Sequence, residues 1–241
     1  MSGSNEIRIV PSSARYAEQM EDLQHAVYGT TRENPYEVFT AAHFRNHLRV
    51  FPEGQFVALD GDRVVGLTVS LRAPFDLAQP HLDKWWSSTG NGWLTTHDPR
   101  GEWMYGVESC VHKDYQGRGV GSKLMDARFN VARQLNLRGM FAGSAIMSYY
   151  QVPETVGVED YVKGVVEGRY FDINLTKQVK KGFRPVGITP NYVVDPEARY
   201  YGIIIIWDNP DYDPARTAAA RVVRHRYRMT MRDQRIAALS V

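Results

Sequence analysis

The stretch Val111-His112-Lys113-Asp114-Tyr115-Gln116-Gly117-Arg118-Gly119-Val120-Gly121 decides how this sequence is interpreted. The segment before it, residues 103–111, is largely apolar on both faces, which is typical of a strand covered by helices on each side. After it, apolar residues between 124 and 135 follow a helical spacing. The sequence therefore predicts a strand, a glycine-rich turn and a helix in direct succession.

The glycine-rich turn is a candidate anion site because it lies at the N-terminus of the predicted helix. Main-chain N–H groups are unpaired there, and the helix dipole favours a negative charge. Glycines permit unusual φ values and leave room for a pyrophosphate. The expected contacts are Gln116, Gly117, Arg118, Gly119, Val120, Gly121 and Ser122. The alternative interpretation is a tight turn without a ligand.

Two other nucleotide motifs fit this turn poorly. A P-loop would end in Gly-Lys-Ser/Thr, which is absent here. A dinucleotide fingerprint would begin with glycine where Gln116 stands, and it requires a parallel βαβ unit. The hairpin expected upstream, residues 55–60 and 63–71, does not suggest such a unit.

The predicted element order defines the fold class. Runs of strands with helices packed outside predict an α+β domain over residues 1–213. Irregular insertions interrupt it at about 74–100 and 144–170, and a basic tail covers 214–241. The other predicted elements are strands at 6–10, 138–143, 186–194 and 200–207, and helices at about 16–27, 36–50, 158–167 and 175–181.

Composition limits the function classes. Hydrophobic residues make up 43% of the chain and the formal net charge is +2, so the chain as a whole is not an obvious polyanion binder. The single cysteine, Cys110, excludes an intrachain disulfide and fits a reducing compartment. No signal segment, membrane span or metal-ligand spacing is visible, so we expect a cytoplasmic protein without a metal.

With these residues in view, the segment 111–121 resembles the coenzyme A motif of the GNAT acetyltransferase superfamily. The element order is similar as well, and Gly182-Phe183 resembles a family pair that follows a helix. Phrases such as Thr96-His97-Asp98-Pro99 resemble the acetyltransferase half of proteins that fuse a GNAT domain to a carbon–nitrogen hydrolase. The resemblance implies a mostly antiparallel sheet of about seven strands, flanked by helices. We expect this chain to contain the first half only.

The resemblance also implies a reaction. An acetyl group would pass from acetyl-CoA to a primary amine of a small molecule or protein. The strand at Ser109, Cys110 and Val111 would contact the pantetheine arm and the oxyanion. Glu108 or Tyr105 would orient proton transfer, although strict alternation places Glu108 on the opposite face unless a bulge rotates it.

One family feature is missing. The tyrosine that usually acts as general acid is replaced by Gln178. Four tyrosines in or beside the second insertion are candidates to substitute for it: Tyr149, Tyr150, Tyr161 and Tyr170.

Other interpretations stay open at this point. A catalytically weak coenzyme A-binding sensor or partner-docking module would carry the same turn. The arginines of the tail favour packing on the domain or on a second subunit of a homodimer over nucleic-acid contact. The tryptophans of residues 85–93 would form an acceptor-pocket wall or pin a loop to the surface.

Overall fold

A computed structural model describes residues 6–33 and 37–217, which build a seven-stranded sheet with helices on both faces. The strands are β1 (Arg8–Pro11), β2 (Phe56–Asp60), β3 (Arg63–Ala73), β4 (Trp103–Val111), β5 (Gly139–Ala145), β6 (Arg184–Thr189) and β7 (Gly202–Asp208). Their spatial order is β1-β2-β3-β4-β5-β7-β6. Only β4 and β5 pair in parallel, so the predicted α+β class and the mostly antiparallel sheet are confirmed.

The helices cover both faces of this sheet. They are α1 (Ala17–Tyr28), α2 (Ala41–Val50), α3 (Trp85–Ser88), α4 (Val120–Gln134), α5 (Val158–Val166) and α6 (Leu175–Lys180). On one face α1, α2 and α3 bury an apolar core against Tyr105 and Phe141. On the other face α4, α5 and α6 pack against Met104 and Met140. The strand β4 therefore lies between two helical layers, as its two apolar faces predicted.

The largest differences from the sequence prediction concern three elements. The helix expected from residue 36 begins at Ala41, because the Thr40 side chain accepts a hydrogen bond from the His43 N–H and caps the helix there. The strand expected at 186–194 spans Arg184–Thr189 instead. The short helix α3 lies inside the first insertion and was not predicted.

Each insertion contributes aromatic side chains to one core. In the first insertion, Trp85 packs against Phe39, with ring centroids 5.3 Å apart. In the second insertion, Tyr149 and Tyr161 are buried with their centroids 4.7 Å apart. No helix among the described residues is long and apolar enough to cross a membrane. Most of the arginine-rich tail, residues 218–241, lies outside the described residues.

Candidate active site

The glycine-rich turn adopts the backbone that its sequence favours. Gly117 and Gly119 have φ values of +73° and +77°, which residues with a side chain rarely adopt. Gly119 is the N-cap of α4. Outside the helices and strands, no main-chain hydrogen bond of the described chain is donated by an N–H of residues 117–122. This turn therefore presents a run of free donors at the positive end of a 15-residue helix.

Contacts of neighbouring side chains hold the turn against the sheet. The Tyr115 hydroxyl donates to Asp60 Oδ2 of β2 at 2.7 Å. The Arg118 guanidinium lies 4.8 Å from the centre of the Tyr115 ring. The Gln116 amide donates back to the Val111 carbonyl at 3.2 Å, and Val120 is buried against the sheet. The loop is therefore fixed on the sheet, while Gly117, Arg118, Gly119, Gly121 and Ser122 face solvent.

The strands β4 and β5 separate after Tyr105, in the part of β4 that leads to the glycine-rich turn. They pair only from Trp103 to Tyr105 on β4, so residues 106–111 of β4 have no partner on the β5 side. On the β3 side, the His112 N–H donates to the Val65 carbonyl and Cys110 pairs with Leu67. Because antiparallel ladders alternate, the amide of Cys110 faces β3, and those of Ser109 and Val111 face the opening. The Val111 amide is thus a main-chain donor that faces the opening on its β4 edge, and the Ser109 amide on the same edge bonds the Glu108 carboxylate.

A bulge changes which face of β4 carries Glu108. Val69 pairs with Glu108 and Ser70 pairs with Gly106, so Val107 has no partner. The extra residue turns the following side chains over. Glu108 and the buried Cys110 therefore share the α1 face with Tyr105, and the alternation predicted for this strand is wrong beyond Val107.

Side chains from both faces hold the bulge. The Trp85 indole N–H donates to the Val107 carbonyl at 2.8 Å. From the α4 face, Arg128 donates to the carbonyls of Val69 and Glu108. Burial lowers the pKa of the Arg128 guanidinium to about 9, against the opposing charge of Glu108, so Arg128 stays positively charged at neutral pH. The rotated geometry of β4 is therefore fixed by the fold.

The Glu108 carboxylate has a neutral environment on its own face. The Tyr28 hydroxyl donates to Glu108 Oε1 at 2.7 Å, while the Tyr28 ring remains 47% exposed. Burial raises the pKa of Glu108, although the bonds from Tyr28 and from the Ser109 N–H and the charge of Arg128 oppose this. Burial likewise raises the pKa values of Tyr28 and Cys110 well above their ordinary values. The pKa of Glu108 is thus raised above the ordinary value of a glutamate.

Three hydrogen-bonded hydroxyl groups lie on the same face of β4 as Glu108. The Tyr105 hydroxyl is 2.9 Å from both Ser88 Oγ and the Tyr192 hydroxyl. Tyr192 crosses β5 and β7 over two glycines, since a Cβ on Gly143 or Gly202 would lie 2.1–2.3 Å from its ring. Burial raises the pKa values of Tyr105 and Tyr192. The neutral Tyr192 hydroxyl therefore lies next to Tyr105, where the pairing of β4 with β5 ends.

The four tyrosines of the second insertion are directed elsewhere. Tyr149 donates to the Val156 carbonyl, Tyr161 donates to Asp172, and Tyr170 stacks on Tyr161. Tyr150 is 51% exposed. The side chains that accompany Glu108 are instead Tyr28, Tyr105 and Tyr192. The sequence analysis missed Tyr28 and Tyr192, although the glycines at 143 and 202 are a signal for a large ring between them.

Gln178, which stands in place of the usual tyrosine, has a buried side-chain oxygen without a hydrogen-bond partner. Ser144 Oγ on β5 and Arg128 Nε on α4 are also buried polar atoms without a hydrogen-bond partner. One turn before Gln178, Asn174 donates to the Ala145 carbonyl at the end of β5. In the described chain, no group of three or more His, Cys, Asp or Glu residues is placed to hold a metal ion.

Comparison with known proteins agrees with this geometry. The fold is similar to that of a solved GNAT-like decarboxylase, GphF, in complex with isobutyryl-CoA, with a TM-score of 0.68 at 20% identity, covering 84% of this chain and 99% of that one. The Acetyltransferase (GNAT) family profile matches residues 17–150. The chain belongs to the GNAT acetyltransferase family.

Two curated relatives from Bacillus subtilis (strain 168) are similar in sequence. The probable hydrolase YhcX is 35% identical over 182 residues, which are 75% of this chain and 35% of YhcX. The uncharacterized N-acetyltransferase YkwB is 31% identical over 170 residues, which are 70% of this chain and 75% of YkwB. The chain thus spans about a third of the length of YhcX, in keeping with its resemblance to one half of a fusion protein.

Proposed function

We propose that the protein is an N-acetyltransferase that moves an acetyl group from acetyl-CoA to a primary amine. The observation that carries the proposal is the continuity of the site. Free main-chain donors at residues 117–122 lead to the unpaired β4 edge, and that edge leads to the Glu108 carboxylate. This is the order in which a diphosphate, a pantetheine arm and an amine would be needed.

Different residues would bind different parts of acetyl-CoA. The amides of residues 117–122 would bind the diphosphate of acetyl-CoA, and Arg118 would add a charged contact. The Val111 amide would pair with the pantetheine arm as a neighbouring strand does, while the Ser109 amide would keep its bond to the Glu108 carboxylate. The amide of Cys110 faces β3, so this residue would contribute packing only. The cleft-facing Val111 amide would also donate to the oxyanion.

Glu108 would act as the general base. An alkylammonium has a pKa near 10 and is unreactive until it loses a proton, so a nearby carboxylate of raised pKa is suited to accept that proton. The amine nitrogen then attacks the thioester carbon, and the coenzyme A thiolate leaves. Tyr105 and Tyr192 would lie beside the reacting groups as neutral hydroxyl donors. The non-catalytic sensor is not favoured by any feature of this site.

A thiol-release screen tests the proposal. Acetyl-CoA is incubated with the protein and a panel of amines, and released coenzyme A and acetylated product are both measured. We expect release that depends on the amine and a matching mass gain on it. The Glu108→Gln variant should bind acetyl-CoA as the wild type does but release much less thiol. Amine-independent release, or full activity in Glu108→Gln, would contradict the assignment.

A further inference from the structure

The charges around Glu108 limit which amines the site accepts. On the α1 face, the described groups that bond the carboxylate or act on it electrostatically are uncharged: Tyr28 from α1, Cys110 and Tyr105 from β4, and Tyr192 from the segment before β7. Their pKa values are all raised by burial, so none carries a negative charge at neutral pH. Within the described chain, Glu108 forms no ion pair with a lysine, arginine or histidine.

Among the described residues, the cation whose charge acts on Glu108 is Arg128, which lies on the other face of the sheet. Arg128 is buried under α4 and donates to main-chain carbonyls of β3 and β4, not to the Glu108 carboxylate. Within the described part of the chain, no cation is therefore paired with Glu108 on the α1 side. A carboxylate on that acceptor would meet Glu108 without a compensating charge.

One carboxylate oxygen has no side-chain partner among the described residues. Tyr28 donates to Oε1, the Ser109 N–H also bonds the carboxylate, and no side chain of the described residues donates to Oε2. The Tyr28 residue beside the carboxylate is 47% exposed, so its aromatic ring is the surface that an arriving ammonium group would meet first.

From this geometry we infer that the acceptor is a cationic primary amine without a carboxylate next to its nitrogen, rather than a free α-amino acid. The inference rests on the proposed function and names the substrate class of the same site. Glu108 attracts the ammonium group before accepting its proton. An α-carboxylate would lie within about 5–6 Å of Glu108, where repulsion at an effective dielectric constant near 20 corresponds to about a 100-fold loss.

Matched pairs of acceptors provide the test. Phenethylamine is compared with phenylalanine, tyramine with tyrosine, and agmatine with arginine, each with acetyl-CoA and the wild-type protein. We expect kcat/KM to be at least about 10-fold higher for the amine of every pair that reacts. The preference should persist in 0.5 M salt because the site is partly buried. Equal rates within the pairs, with acetyl transfer intact, would overturn the inference and leave the proposed function standing.

Binding measurements cover the case in which none of these amines is acetylated. The affinity of each pair for the coenzyme A-bound protein is measured by calorimetry in wild type, Glu108→Gln and Asp126→Asn. Asp126 is a matched control because it pairs with Lys181 across α4 and α6, away from the site. Preference for the amine in wild type and Asp126→Asn, lost in Glu108→Gln, supports the inference even without turnover. The same affinity for both members of each pair in wild type overturns it.

Discussion

The Tyr28 hydroxyl donates a hydrogen bond to Glu108 Oε1 across 80 residues of sequence, at 2.7 Å. Tyr28 is the last residue of α1, and Gly29 ends that helix in the left-handed conformation with a φ of +65°. The bond joins a half-exposed ring to the carboxylate placed by the β4 bulge. It both orients Glu108 and opposes the upward shift of its pKa that burial causes.

Removing the Tyr28 hydroxyl should move the acidic limb of the pH–rate profile. If Glu108 is the general base, as proposed, activity requires its ionised form and the rate falls as pH drops through the Glu108 pKa. The bond lowers that pKa, and Tyr28→Phe should therefore shift the limb to higher pH. Tyr200→Phe, a substitution of another half-exposed tyrosine, should leave it unchanged. An unmoved or downward-shifted limb in Tyr28→Phe would show that the bond does not tune the base.

The Glu108→Gln substitution should lower activity without lowering stability. We expect kcat/KM to fall by about 10² to 10⁴ with acetyl-CoA affinity preserved. Burial raises the folded-state pKa of this acid, so its contribution to stability is present at low pH and is lost as pH rises through the folded value. The variant should therefore be as stable as wild type at pH 7, or more stable. A marked loss of Tm at pH 7 would assign Glu108 a structural role instead.

The contact between Tyr192 and Gly143 can be tested by a double-mutant cycle. A Cβ on Gly143 would lie within 2.5 Å of three atoms of the Tyr192 ring and hydroxyl, so Gly143→Ala should destabilise the protein by about 1–3 kcal/mol and lower activity. In a Tyr192→Ala background the same substitution should cost little, because alanine suits a strand better than glycine. Additive free energies of unfolding, from urea denaturation, would contradict the contact.

The sequence carried the local signals of this fold well. Two apolar faces on residues 103–111, a glycine-rich turn and a helical stripe are short-range patterns, and together they placed β4, the turn and α4 correctly. The α+β class followed from the same kind of pattern.

The candidate site was harder to predict because it depends on long-range register. The bulge at Val107 arises from pairing with β3 and from contacts with Trp85 and Arg128, none of which is encoded near Glu108. Tyr192 reaches Tyr105 from 87 residues away. Tyrosines near Gln178 in sequence were the natural candidates, but the second core takes up Tyr149 and Tyr161.

The first insertion should loosen in acid because of His47. This histidine is buried on α2 and bonds the Gly92 carbonyl at 2.7 Å, and burial lowers its pKa to about 4. A depressed histidine pKa means that the unfolded chain binds a proton first, so stability is lost as pH falls from about 6.5 toward 4. Urea denaturation at pH 7 and 4.5 should show a loss on the order of 2 kcal/mol that His47→Gln removes. Equal pH dependence in both proteins would contradict this.

Calorimetry of two alanine variants shows whether the amides of residues 117–122 bind the diphosphate of acetyl-CoA. Gly119 and Gly168 have nearly equal φ values, +77° and +78°, and open space where a Cβ would stand. Both substitutions should therefore cost about 1–2 kcal/mol of stability. We predict that Gly119→Ala weakens acetyl-CoA binding at least about 10-fold while Gly168→Ala binds as the wild type does. No heat from wild type at millimolar acetyl-CoA, or equal affinity in the two variants, would contradict the claim.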